Sequence, residues 1–323
     1  MVVRGRVLVA VVTVAAVLTA GAASSAAAGS AMAATGRGVV ADADATVPGG
    51  DLLAYRRTRV TVQEHAVQRR DGAVIRDISY SAGGGSAVRA YLVEPDGLAR
   101  PHERAGVLYL HWFHPADPTS SRLEWVEEAV GLAGRGTVSL LPDLTFPWNG
   151  DPVGDATDLR VIVDQTIQVR RGLDLLQDRR DVDSRRIAVV GHDYGGMYGL
   201  LVAAVDRHRV RTAIAVNVDA TFCNWFLQFW LGFEGDAATA YQRLLEPVDP
   251  IRYVPFGPRG GTLFQFSVPD FFIPDSTART LFAAASDPKD QRLYAGAPHK
   301  LDAPEARADR VAWLAPRLAL PGS

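Results

Sequence analysis

Arg186-Ile187-Ala188-Val189-Val190-Gly191-His192-Asp193-Tyr194-Gly195-Gly196 is the stretch that decides the fold. An apolar run of strand length enters small-x-Asp-x-small-small and passes directly into a helical pattern. That is the spacing of a nucleophile elbow. The central residue of such a turn sits in a strained backbone conformation. Side chains two positions before and after it would collide, which is why Gly191 and Gly195 stand there. The helix behind the turn aims its N-terminal N–H groups at the site and favours negative charge. Taken alone, the motif also fits a glycine-rich turn whose Asp caps the next helix.

Working outward from the elbow, β and α patterns alternate. Residues 59–67, 74–81 and 87–93 read as strands, the first with period-two alternation, with Gly83-Gly84-Gly85 as a turn between the later two. Then come a strand over 106–110, a helix over 121–133, a strand over 137–141 and a helix over 158–176. After the elbow, with its strand at 186–190 and helix at 196–205, follow a strand over 211–216, an insertion over about 220–256, a strand over 261–267, a helix over 276–285, a strand over 291–295 and a closing helix over 304–318. Apolar strands alternating with amphipathic helices predict an α/β fold. The sheet should be mostly parallel and covered on both faces, with antiparallel N-terminal strands. Ligands bind such sheets beyond the carboxyl ends of the strands.

Two further residues stand at strand ends. Asp270 follows the penultimate strand in Phe264-Gln265-Phe266-Ser267-Val268-Pro269-Asp270, and His299 follows the last in Tyr294-Ala295-Gly296-Ala297-Pro298-His299. Each alone reads as a turn or loop residue. Together with Asp193 they give the chain order nucleophile, acid, histidine. Asp219, just after another strand, is a reserve for the acid.

From about Ala87 to its end the chain resembles the α/β-hydrolase superfamily. The Phe264–Pro274 segment and the helix around Asp309-Arg310-Val311-Ala312-Trp313-Leu314 resemble its dienelactone-hydrolase-like branch. The elbow departs from that branch, which carries Cys or Ser, and is similar to the elbow of epoxide hydrolases and haloalkane dehalogenases. The resemblance implies the α/β-hydrolase fold with a small helical cap at 220–256. It also implies an oxyanion hole of two backbone N–H groups, one from Tyr194 and the other from Leu110-His111-Trp112-Phe113-His114-Pro115, with Phe113 as first choice and Trp112 second. Trp112 stands where that loop has Gly; its indole either offers an N–H to a leaving group or packs under the loop.

A carboxylate at the elbow changes the chemistry. Serine must lose a proton before it attacks, whereas Asp193 is ionised at neutral pH and attacks directly. The natural target is a saturated carbon bearing a leaving group, giving an aspartyl ester. His299, oriented by Asp270, then activates the water that hydrolyses it. This predicts a hydrolase for epoxides or halides. The alternatives are a carboxylic-ester or lactone hydrolase and a non-catalytic secreted binding protein. Epoxide hydrolases of this fold use two cap tyrosines, for which only Tyr241 and Tyr253 are near. Trp225, Phe226, Phe229 and Trp230 of the insertion are read as walls of a pocket for a small apolar substrate, or else as a helix packed on the core.

The rest of the sequence sets limits. A formal net charge of -2 suggests neither nucleic acid nor an anionic membrane as partner. Among His102, His111, His114, His192 and His208 no ligand spacing occurs, so neither metal nor cofactor is expected. Arg4 and Arg6, an apolar run over 7–20 and small residues over 22–34 follow the order of a secretory signal peptide. The expected organisation is therefore a signal peptide at 1–34, a flexible leader at 35–52 and a hydrolase domain at 53–323. The protein would be secreted, or held at a membrane by the uncleaved segment. Cys223 stands alone, so stability must come from the core rather than from a disulfide.

Overall fold

The computed structural model describes residues 40–41, 46–83 and 86–322. The segment read as a signal peptide lies outside the described residues, as does half of the leader. Two short strands, β1 (Val40–Ala41) and β2 (Tyr55–Arg56), pair with each other. The end of the leader is packed rather than loose, because Val47 and Leu53 are both buried in the core.

The main sheet has nine strands. β3 (Val62–Arg70), β4 (Ala73–Gly83) and β5 (Ser86–Pro95) form the antiparallel start, and β5 pairs antiparallel to β7. β6 (Arg104–Leu110), β7 (Thr137–Pro142), β8 (Val182–His192), β9 (Thr212–Val216), β10 (Thr262–Val268) and β11 (Lys289–Ala295) run parallel, in the order β11-β10-β9-β8-β6-β7-β5-β4-β3. The expected strands are present, with the elbow strand starting four residues earlier and the last strand two residues earlier than their patterns suggested. The first strand starts three residues later than the alternation suggested, and both of its faces are exposed. It is the last strand of the sheet, so its apolar positions do not enter the core.

Helices α1 (Val126–Ala133), α2 (Ala156–Asp178), α3 (Asp193–Val205), α4 (Phe222–Phe226), α5 (Gly235–Leu245), α6 (Pro250–Tyr253), α7 (Asp275–Ala284) and α8 (Pro304–Arg317) follow in chain order. Two core layers result. One holds apolar side chains of α2, α3 and α4, the other those of α1 and α8. Every residue of α3 is buried, which explains its unbroken small and apolar sequence. The described residues contain no helix long and apolar enough to cross a membrane.

Beneath the sheet lies a charged cluster. The fully buried Arg170 on α2 forms a two-pronged bond to Asp206 at 2.7 and 3.1 Å, donates to the Leu53 carbonyl and lies 4.7 Å from the Tyr55 ring. Arg209 reaches both Asp206 and Asp174. This cluster ties the N-terminal turn, α2 and the end of α3 together.

The winding reverses at β6. The chain goes from β6 to β7 on one side, then crosses back to β8 on the other. The crevice this leaves is at the carboxyl ends of β6 and β8, where Leu110 and Gly191 are register partners.

Candidate active site

β8 ends at His192, and Asp193 is the first residue of α3 with φ +56°, in the left-handed region. A Cβ on Gly191 would lie 2.5 Å from the Gly195 carbonyl oxygen, and one on Gly195 would lie 2.4 Å from that of His111. The tight turn therefore requires both glycines, and it holds the Asp193 carboxylate at the mouth of the crevice.

Both expected backbone donors reach that carboxylate. Phe113 N–H donates to Oδ2 at 3.1 Å and Tyr194 N–H to Oδ1 at 2.6 Å. His299 Nε2 is 3.8 Å from Oδ2, and its Nδ1 is 2.8 Å from Asp270 Oδ2. Asp270 also accepts from the N–H groups of Phe272 and Ile273. Burial works against a charge on His299. The hydrogen bonds and charges of Asp193 and Asp270 outweigh it and hold its pKa up at about 9. Burial likewise raises Asp270, but its bond to His299 and the two backbone donors bring it below the usual carboxylate range. At neutral pH His299 is thus held as an imidazolium, with Asp270 at its Nδ1 and Asp193 at its Nε2.

Three expectations are corrected. Trp112 is not a donor to the site, because its backbone N–H bonds Glu124 at 2.7 Å and its indole N–H points to Thr119. It packs under the loop, stacked on His192 with the rings 5.4 Å apart. Asp219 does not reach His299; it caps the next turn through Thr221 N–H and Asn224. Phe226 does not line the pocket. It points away from the cavity and packs between Phe146 and Tyr194.

Trp225, Phe229 and Trp230 do line a cavity of about 450 Å³ in front of Asp193 and His299. A π turn at Leu227–Leu231 widens the helix and brings Phe229 and Trp230 to that side together. Sequence reading missed the rest of the lining, with Asp151, Phe272 and Pro115. Phe272 follows Asp270 closely enough to have been inferred. Nothing local marks Asp151, which arrives on the loop before α2 and accepts from the Trp230 indole at 3.0 Å. The Tyr194 hydroxyl is buried with no hydrogen-bond partner among the described residues. Tyr241 and Tyr253 are committed elsewhere, to Asp158 and to the Pro247 carbonyl. His111 is buried and accepts from Leu144 N–H, and burial lowers its pKa to about 4. No group of His, Cys, Asp and Glu among the described residues could hold a metal ion.

Sequence reading also missed a strut beneath the site. Glu124 bonds the Trp112 N–H through Oε2 and lies 2.7 Å from His192 Nδ1 through Oε1, while His192 Nε2 is 3.0 Å from the His299 carbonyl. A carbonyl only accepts, so Nε2 carries hydrogen. Burial, then the charge of His299, push His192 down to about 3, leaving Nδ1 bare. Burial raises Glu124 well above its ordinary value; the Trp112 N–H and Arg310 oppose this, while Asp193 and Glu128 add to it. The proton between the pair therefore sits on Glu124. Glutamine has the same donor and acceptor. Glu124→Gln is thus expected to keep stability within about 0.5 kcal/mol, whereas Glu124→Leu orphans two buried groups and costs about 3 kcal/mol. Urea denaturation measures both, and a Gln variant as unstable as the Leu variant would put the proton on His192.

No protein-family model matches the chain, and no curated protein matches it. Solved structures do. An acetyl xylan esterase from Paenibacillus sp. R4 superposes with a TM-score of 0.66 at 19% identity over 80% of this chain and 89% of that one. An S-formylglutathione hydrolase from Agrobacterium tumefaciens gives 0.59 at 17% identity, covering 79% of this chain and 99% of that one. A glucuronoyl esterase from Solibacter usitatus gives 0.57 at 15%, covering 82% and 87%. At such identities the likeness is one of fold, and the chain has the α/β-hydrolase fold.

Proposed function

We propose that this chain is a hydrolase of small carboxylic esters or lactones in which Asp193 attacks, His299 carries the proton and Asp270 orients His299. The observation that carries the reading is the convergence of His299 and the Phe113 and Tyr194 amides on one carboxylate at the strand ends. Two lines favour an ester over an epoxide or halide. Several structures of the same fold are named as esterases. The two cap tyrosines and the indole N–H groups that the other chemistries would use are also engaged. Tyr241 and Tyr253 are bonded elsewhere, and each of the six indole N–H groups donates to a protein oxygen, so none is free for a halide.

One carboxylate oxygen of Asp193 attacks the acyl carbon, and the ester carbonyl oxygen takes over one of the two amide donors. The C–O bond to the alcohol breaks, and the His299 imidazolium protonates the departing oxygen. This leaves a mixed anhydride on Asp193 and a neutral His299. Loss of the Asp193 charge lowers the pKa of His299, which suits it to take a proton from water. Water adds to the Asp193 carbonyl, whose oxygen lies against the backbone donors, and the acid product leaves. A second reading, an alkyl ester formed on Asp193 by attack at saturated carbon, is favoured by one observation. Both backbone donors already hold the Asp193 carboxylate, as suits an oxyanion that forms only on Asp193 itself.

Turnover in ¹⁸O water with aryl esters, lactones, epoxides and haloalkanes, followed by mass spectrometry of the Asp193 peptide, tests both. Ester or lactone turnover with label in the Asp193 carboxylate is expected. Turnover without label there would remove Asp193 as nucleophile. Turnover of epoxides or halides alone would transfer the assignment to the second reading, and none at all would leave a binding protein.

A further inference from the structure

The cavity in front of Asp193 is apolar over most of its wall but not neutral. Asp151, exposed at its edge, is tied to the Trp230 indole through one carboxylate oxygen. Asp193 has the His299 imidazolium 3.8 Å away, whereas no Lys, Arg or His among the described residues forms an ion pair with Asp151. Among the described residues, His114 and His299 are the only basic side chains lining the cavity. The neighbouring Lys300 is held by Asp117 at 3.0 Å. Trp230, Phe229, Phe113 and Phe272 present ring surface beside this uncompensated carboxylate, with Trp230 5.7 Å from Phe113 and Phe229 5.7 Å from Phe272.

Aromatic faces attract cations, and a carboxylate at the edge of the same wall adds to that attraction. A neutral ligand without a hydrogen-bond donor would displace water from Asp151 and return nothing for it. We propose that the ligand of this cavity carries an organic cation, an alkylammonium group seated against Trp230 and Phe229 with Asp151 as its counter-ion. As a statement about substrates it rests on the ester-hydrolase reading: the ester would place its acyl carbon at Asp193 and its ammonium end at Asp151.

The test has two arms, both on the full chain. In the first, tetraethylammonium is titrated against tryptophan fluorescence, which needs no turnover. Saturable quenching is expected, with at least a fivefold weaker Kd in Asp151→Asn, a variant that retains an acceptor for the Trp230 N–H. In the second, butyrylcholine is compared with its uncharged isostere, 3,3-dimethylbutyl butyrate. The choline ester is expected to have at least a tenfold higher kcat/KM, with most of that advantage lost in Asp151→Asn. Tetraethylammonium binding that ignores Asp151→Asn, or equal rates for the two esters, overturns the proposal. Asp151-dependent binding without hydrolysis of either ester keeps the cation site and removes the ester-hydrolase reading.

Discussion

Asp193→Ala is expected to lower kcat/KM on the preferred substrate by about 10³-fold or more, with the fold retained. The carboxylate is the attacking group in the proposed reaction, and no other carboxylate among the described residues contacts Phe113 N–H, Tyr194 N–H and His299 together. Asp193→Asn separates charge from shape. It keeps a carbonyl oxygen for one backbone donor but removes the negative charge, so the kinetic loss should be of similar size. It should also move His299. In the native protein the His299 pKa is held at about 9. The stability this proton contributes is fully present below the ordinary imidazole value and is lost as pH rises through about 9. In Asp193→Asn that value should fall, which NMR titration of the imidazole would follow. The stability advantage of the native protein over the variant should shrink between neutral pH and pH ~10. A variant that keeps more than about a tenth of native activity would end the nucleophile assignment.

Asp206→Ala is expected to have the largest effect on stability, about 3–5 kcal/mol, although Asp206 lies outside the cavity in front of Asp193. Arg170 is completely buried, and the substitution leaves its guanidinium with only the Leu53 carbonyl and the Tyr55 ring. An orphaned buried cation is costly, whereas replacing the pair together by apolar residues restores part of the loss. The double variant Asp206→Leu with Arg170→Met should therefore be more stable than Asp206→Ala. Urea midpoints at unchanged slope measure the series. A loss under about 1 kcal/mol for Asp206→Ala would show that Arg170 is reached by water.

The elbow, the strand-end acid and the strand-end histidine were legible because each depends on local chain geometry. Gly191 and Gly195 announce a turn that only small residues allow, and Asp270 and His299 stand where strand patterns stop. Phe113 was legible only through the resemblance of its loop to that of the α/β-hydrolase superfamily. What escaped notice came from pairs distant in sequence. Glu124 meets His192 from 68 residues away, and Asp151 meets Trp230 from 79 away, so neither has a spacing to detect. Trp112, Phe226 and Asp219 were misplaced because a residue type at the right position does not give the direction of its side chain. The first strand failed differently: its alternation was real, but the end of a sheet has no layer to cover it.

That terminal strand has a colloidal consequence. An unpaired strand edge is a template onto which another chain can add. On β3 the register slips between Glu64 and Ala66, and the strand carries Glu64, His65 and Arg69 on exposed faces beside Val62 and Val67. The bulge breaks the row of amides that an incoming strand would need, and the charges would have to be desolvated for it to dock. At this end of the sheet, the edge that looks least like a core strand is thus a poor template for an incoming strand.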